Sequence, residues 1–413
     1  MTQTSLNAPI RSELVVSSQP TRRDELIYTS RCMPSLPQAL LAFTTLTSLA
    51  HAKMAAKTLP TTMDRWVLTQ RPAGKFDASR DVEKRTEPIP ELKSDDVLIE
   101  VEMLSVDAFV RTMLDEQAYH GRVEIGGAVP ALGYGTVIAA GADAKASIGK
   151  RVLGMVHASS HAVGPMSMGT GFTQVLSIPG VPTRLSLSLL SAVTGLTAYV
   201  GCFKVLTKPG KGETAVVSAA AGGVGSIAVQ LLESTGCRVV GVAGGATKCA
   251  FCVDTLGCDA AVDYKADTFC EDLDEACPDG IHFFFDNAGG STLEAVLDRL
   301  AMHSRVVICG AASQYSGNLN AGRDAKGRRG SVQGPASYLK LAERSSTMAG
   351  FNVMHHFSSL PGAIFNLCWM YWRGTVAVHE HVETGLDAFP AALEKMFAGG
   401  HCGKMLVDLS ESA

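Results

Sequence analysis

The chain has 413 residues, enough for two or three domains and a sizeable buried core. Hydrophobic residues make up 46% and charged residues 18%, which excludes a wholly disordered chain. Lys and Arg number 36 against 40 Asp and Glu, a net charge of −4 that argues against a bulk nucleic-acid binder, and the sequence lacks the uninterrupted apolar run of roughly 18 residues that a membrane span needs.

Residues 1–62 differ from the rest. They are rich in Ser, Thr and Ala, and Arg11, Arg22, Arg23 and Arg31 are partly offset by Glu13, Asp24 and Glu25. Ala39 to Ala50 is moderately apolar and leads into the small-x-small pattern Ala50-His-Ala52. Two readings stay open for this N-terminal extension: a disordered tail before a start near Met63, and an organellar presequence, which the acidic residues weaken. The corresponding location is cytoplasmic, or organellar if the presequence is real.

From Met63 the pattern is globular. Asp96 to Val106 alternates like a strand with one buried face, and residues 133–141 and 149–156 add short strands between glycine turns. Residues 63–192 therefore read as a β-rich, barrel-like domain. Residues 193–375 alternate strands, at 214–220, 237–243, 281–286 and 305–310, with helical stretches, which predicts a parallel sheet with crossover helices. The fold class is α/β, and residues 376–413 end in a strand from Gly403 to Asp408 that returns to the first domain.

The strand from Thr214 runs into Ala221-Gly-Gly-Val-Gly225 and then an apolar-periodic helix over 227–232. Ala220, Gly222 and Gly225 occupy the three glycine positions of a dinucleotide fingerprint, where lack of bulk lets the backbone approach a pyrophosphate at a helix N-terminus. The next strand ends in Gly244-Gly-Ala-Thr-Lys248, where NAD enzymes place a carboxylate for the ribose hydroxyls. A lysine there favours NADP(H) over NAD(H).

Of the 11 cysteines, Cys249 and Cys252 form a CxxC pair with no second pair to complete a zinc site. The chain has no cysteine between Cys32 and Cys202, and His51, His120, His157 and His161 form no spaced ligand set, so no metal is expected. The cysteines read as reduced, mostly buried thiols.

Several further segments point one way: Gly195-Leu-Thr-Ala-Tyr199, Asp259 to Tyr264, Phe285-Asp-Asn-Ala-Gly-Gly290, Ile308-Cys-Gly-Ala-Ala-Ser-Gln-Tyr315 and Gly403-Lys404. With the glycine loop they resemble the zinc-independent medium-chain dehydrogenase/reductases, within them the prostaglandin reductase and alkenal double-bond reductase family. The likeness runs over about residues 63–413.

It implies a GroES-like catalytic domain, a Rossmann doubly wound domain and an NADPH-dependent reduction of the C=C bond of an enone or 2-alkenal. It also implies roles. Gly222, Gly223, Val224 and Gly225 would hold the pyrophosphate, and Lys248 and Tyr264 the 2′-phosphate. Asn287 would lie at the nicotinamide. Cys309, Gly310, Ser313 and Tyr315 would wrap the cofactor, with Tyr315 also facing the substrate carbonyl as the catalytic hydroxyl. Phe351 and Val353 would contact the cofactor, and a homodimer is implied.

Two departures stand out. His401 occupies a cofactor-contact position where the family usually has Asn, and Phe109 in Asp107-Ala-Phe-Val-Arg111 replaces a tyrosine. The loop after Tyr315, to about Ala336, is long and basic, and reads as a substrate-selecting lid or a solvent loop. The rival functions are a quinone reductase, an enoyl-thioester reductase, and a non-catalytic NADPH-binding protein.

Overall fold

The computed structural model describes residues 58–116, 121–167, 171–317 and 334–410. The expected N-terminal extension lies almost wholly outside the described residues, as does most of the expected lid, 318–333. No helix among the described residues is long and apolar enough to cross a membrane.

The first part is β-rich. A ribbon pairs β1 (Thr62–Leu68) with β2 (Val82–Pro88). The main sheet contains β3 (Asp96–Ser105), β4 (Leu132–Ala140), β5 (Arg151–Met155), β6 (His161–Pro165) and β7 (Thr173–Gln174). A short helix, α1 (Phe109–Met113), follows β3. The alternation at 96–106 predicts one buried face, yet nearly all of β3 is buried. Both faces are covered, and an irregularity between Val101 and Met103 reverses the alternation. Val97, Ile99, Val101 and Leu104 enter the main core, whereas Met103 packs with Tyr134 and Leu187 elsewhere.

The second part is a six-stranded, wholly parallel sheet. Its strands are β8 (Thr214–Ser218), β9 (Arg238–Ala243), β10 (Ala260–Asp263), β11 (Ile281–Asp286), β12 (Leu300–Ile308) and β13 (Thr347–Gly350), in the order β10-β9-β8-β11-β12-β13. This is a doubly wound order that reverses between β8 and β11. The helices that accompany it are α2 (Gly195–Val200), α3 (Gly223–Glu233), α4 (Ala246–Ala250), α5 (Phe269–Ala276), α6 (Gly290–Leu297) and α7 (Leu360–Trp372). They cover both faces, as a parallel sheet requires. Helices α2, α3 and α7 pack on one face, and α5 and α6 on the other. The strands divide their side chains accordingly: Ala215, Val217, Phe283 and Phe285 enter one core, Val216 and Phe284 the other. Each fully buried phenylalanine contributes about 1.5–3 kcal/mol of transfer free energy.

Sequence periodicity places several strand ends imprecisely. The strand expected over 214–220 stops at Ser218, because Ala219 takes left-handed backbone at φ 48°. The strand expected over 305–310 starts earlier, at Leu300, and ends at Ile308. The ribbon β1–β2 and the short strands β6, β7, β10 and β13 carry no clear alternation, and periodicity does not predict them.

The chain then returns to the first sheet through β14 (Glu380–Thr384), α8 (Phe389–Ala398) and β15 (Lys404–Asp408). Strand β15 lies parallel to β14 and antiparallel to β3. Lys404 joins the parts. Its buried ammonium donates to Val106 O at 2.6 Å and Met405 O at 3.0 Å, and pairs with Asp107 Oδ1 at 3.1 Å. The other Asp107 oxygen accepts from Ser105 Oγ at 2.6 Å. The ammonium's three protons are thus all used, the condition for tolerating a charge pair out of water. Lys404→Met should destabilise the protein by about 3–5 kcal/mol in urea unfolding, because it strands a buried carboxylate. Adding Asp107→Asn should recover part of that loss; a double variant no more stable than the single one would contradict this account.

Candidate active site

A cleft of 730 Å3 opens where the order of the parallel sheet reverses. Its floor is the glycine loop. The loop leaves β8 through Ala219, and Gly222 N–H closes a turn onto Ala219 O at 2.9 Å. Gly222 caps α3, whose first turn is Gly223, Val224 and Gly225. A Cβ on Gly225 would stand 2.2 Å from Ala219 O, so helix and strand pack this closely only with glycine there. The first helical turn lines the cleft, and the N–H groups that a helix N-terminus leaves without an intrahelical partner suit an anion.

At the end of β9, Lys248 in α4 and Tyr264 after β10 line the same cleft. Lys265, missed in the sequence, lines it too, with its ammonium 5.8 Å from the Tyr264 ring centre. The nearby carboxylate of Asp263 is engaged: its Oδ1 accepts from Gly245 N–H and Lys265 N–H, both at 2.9 Å, which holds its pKa low. Burial lowers the Lys248 pKa, with Lys265 adding repulsion. Two cations lining one end of a cleft, with the neighbouring carboxylate turned to backbone amides, suit a phosphate.

At the carboxyl end of β11, Asp286 is fully buried. It accepts from Ser218 Oγ at 2.7 Å and from the N–H groups of Ala288 and Gly289, both at 3.0 Å. Burial raises its pKa and these bonds oppose the rise. Asn287 is locked alongside, donating from Nδ2 to Ser218 O at 2.8 Å. This network ties β8 to β11 at the switch point. The loop after β12 then carries Cys309, Gly310, Ser313 and Tyr315 into the cleft. Ser313 Oγ donates to Ala288 O at 2.7 Å. The Tyr315 hydroxyl accepts from Ala311 N–H at 3.3 Å, and burial raises its pKa, so it is held protonated. Burial, helped by Asp286, pushes the Cys309 thiol up to about 12, which leaves it inert as a nucleophile.

The cleft thus brings together every residue to which the family likeness gave a cofactor or catalytic role, with Phe351, Val353 and His401 completing the wall. Phe109, noted in the sequence for its missing hydroxyl, opens an apolar half that sequence reasoning otherwise missed: Met113 from α1, Leu132 from β4, Met155 from β5, and Met354. These are ordinary apolar residues in separate segments, and only α1's position after Asp107 hinted at any of them. In the Gly195 motif the two ends are structural, since a Cβ on Gly195 would stand 1.9 Å from Leu189 O and Tyr199 Oη accepts from Asn366 Nδ2 at 2.8 Å, while Thr197 lines the cleft. The described cysteines are free thiols, and no group of three His, Cys, Asp or Glu among the described residues is placed to hold a metal.

Two family models match the chain: "N-terminal domain of oxidoreductase" over residues 64–175 and "Zinc-binding dehydrogenase" over residues 223–350. Prostaglandin reductase 1 of Mus musculus is 33% identical over 351 residues, covering 83% of this chain and 98% of the relative. The NADPH-dependent curcumin reductase of Escherichia coli (strain K12) is 31% identical over 363 residues, covering 83% and 96%. The crystal structure of CurA from Vibrio vulnificus in complex with NADPH superposes with a TM-score of 0.74 at 28% identity, covering 84% of this chain and 98% of that one.

Lys248→Ala should weaken NADP+ binding by about tenfold to a hundredfold, the loss of one charge-assisted contact, and leave NAD+ binding nearly unchanged. Titration calorimetry with both dinucleotides checks this; an equal loss for both would remove Lys248 from the 2′-phosphate.

Proposed function

The chain belongs to the zinc-independent medium-chain dehydrogenase/reductases and is an NADP-dependent oxidoreductase; we propose that it reduces the C=C bond of α,β-unsaturated aldehydes and ketones. The observation that carries this reading is the Tyr315 hydroxyl. It lines the cleft between the glycine loop and the apolar wall, and it accepts a backbone N–H while its own proton is committed to no hydrogen bond among the described residues. Accepting that bond polarises the O–H and makes it a better donor.

The residues fit the cofactor. The α3 N-terminus and Gly222 to Gly225 would receive the pyrophosphate, and Lys248, Tyr264 and Lys265, which line the same cleft, would receive the 2′-phosphate. When bound, NADPH supplies a hydride to the β-carbon of the enone. The wall of Phe109, Met113, Leu132 and Met155 holds an apolar substrate tail and keeps water from the reacting carbons. Negative charge grows on the carbonyl oxygen as the enolate forms. Tyr315 donates a hydrogen bond to that oxygen, an interaction that strengthens in the transition state. Asp107, the carboxylate on the substrate side, is committed to Lys404 and Ser105, so solvent protonates the α-carbon. Phe109, lacking a hydroxyl, leaves the carbonyl to Tyr315.

Tyr315→Phe should lower kcat by about tenfold to a thousandfold while changing the NADPH Kd far less. The readout is near-ultraviolet loss of NADPH with a medium-chain 2-alkenal, a cyclic enone, a 15-oxo-prostaglandin, a quinone and an enoyl-CoA. Turnover of alkenals and enones that depends on Tyr315 supports the reading. Oxidation with quinone alone would replace it, and an unchanged kcat would remove Tyr315 from the chemistry.

A further inference from the structure

His401 lines the cofactor cleft with its Nδ1 buried and without a hydrogen-bond partner among the described residues. It sits on the short link between α8 and β15, and both ends of the link are anchored. Gly399 closes α8 in left-handed backbone at φ 72°, and Gly403 N–H donates to Ala221 O in the glycine loop at 2.8 Å. A Cβ on Gly399 would stand 3.5 Å from Lys248 Nζ, so the link faces the lysine that marks the phosphate end of the cleft.

The charged groups around the imidazole are overwhelmingly basic. Lys248 projects from α4, Lys404 from β15, His381 from β14 and Lys395 from α8. His381 and Lys395 share a single carboxylate: Glu383 Oε1 lies 3.0 Å from His381 Nε2 and 2.8 Å from Lys395 Nζ. Asp107 is committed to Lys404. Cys402, next to His401, has its thiol pKa raised by burial, so it brings no charge. His379, with its own Nε2 unpartnered, packs edge-on against Phe251 and has its pKa lowered by burial. Burial first, then the ammonium groups of Lys248 and Lys404, push His401 down to about 4, so it is neutral in the free protein.

We propose that His401 takes up a proton as a phosphate of the dinucleotide enters the cleft and donates from its ring to that phosphate, so that cofactor and proton bind together. The proposal rests on the NADP(H) site described above. A phosphate dianion beside Lys248 reverses the field that keeps the imidazole neutral, and it offers the acceptor that a protonated ring requires. An asparagine, the family's usual residue here, donates without titrating. The sign follows: binding raises the His401 pKa above its free value of about 4, so affinity increases as pH falls through the raised pKa and levels off below the free one.

The test is titration calorimetry of NADP+ into the full chain, in pairs of buffers of different ionisation enthalpy, across neutral pH. Wild type is compared with His401→Asn. Titration of the 2′-phosphate is common to both and cancels in the difference. Wild type should take up more protons on binding than His401→Asn does. Its affinity should also fall more steeply as pH rises, the ratio of the two affinities changing by up to about tenfold per pH unit. Imidazole carbon shifts in wild type give a second readout that needs no substitution: neutral His401 without NADP+, protonated with it. Parallel affinity curves with equal proton counts, or a ring that stays neutral in the complex, would overturn the proposal. Arms with 2′,5′-ADP and NAD+ locate the phosphate: linkage kept by 2′,5′-ADP and lost with NAD+ assigns the 2′-phosphate, whereas linkage kept by NAD+ assigns the bridging diphosphate. Failure of wild type to bind NADP+ at all would overturn the cofactor reading and this proposal together. Failure to reduce enones, with binding and linkage intact, would overturn only the proposed reaction.

Discussion

A parallel backbone bridge between Gly222 and Gly403, with Gly403 N–H donating to Ala221 O at 2.8 Å, fastens the start of the last strand of the β-rich sheet to the glycine loop of the parallel sheet. The next residue continues the joint. Lys404 reaches back to Val106 O and Asp107, at the point where β3 passes into α1. The packing at this joint is tight: a Cβ on Gly403 would stand 2.0 Å from His379 O, and one on Gly223 would stand 3.1 Å from the Lys404 side chain. The consequence is geometric. The α3 N-terminus, the apolar side chains of α1 and the 399–403 link are all placed by the same few atoms, so the glycine loop and the apolar wall of the cleft keep a constant relation.

The cleft is divided by polarity. One end gathers backbone N–H groups, Lys248 and Lys265, and the Asp263 carboxylate that would repel an anion is turned to hold the Gly245 and Lys265 amides. The other end is lined by Phe109, Met113, Leu132 and Met155. Between them stand Asn287 and Tyr315, each fixed through the backbone or through Ser218. A molecule with a phosphorylated tail and a reactive ring, meeting an apolar partner, matches that division.

Much of this was legible in the chain. The strand–glycine–helix passage at 214–233 is local, so its residues specify it almost alone. Lys248 follows the same logic, since its place depends on one further strand. Lys265 was missed although it directly follows Tyr264, because adjacency in the chain does not say that a side chain lines the cleft. The reversal of alternation within β3 was invisible for a related reason: the irregularity depends on how β4 pairs with it, and both neighbouring periodicities look like an ordinary strand. Ala219, in left-handed backbone without being glycine, is held there by its surroundings and announces nothing in composition.

The sequence by itself determined the parallel α/β half, the phosphate loop, the preference for a 2′-phosphate and the membership of an enone-reducing family. These depend on short-range patterns: apolar runs, glycines at set offsets and a lysine in place of a carboxylate. Only the tertiary structure decided which apolar residues form the wall of the cleft, that Asp107 is consumed by Lys404, and that His401 lines the cleft with its Nδ1 unpartnered among the described residues. Those relations join residues hundreds of positions apart, and they arise when the C-terminal strand docks on β3, because burial and mutual distance set the charge of a titratable group.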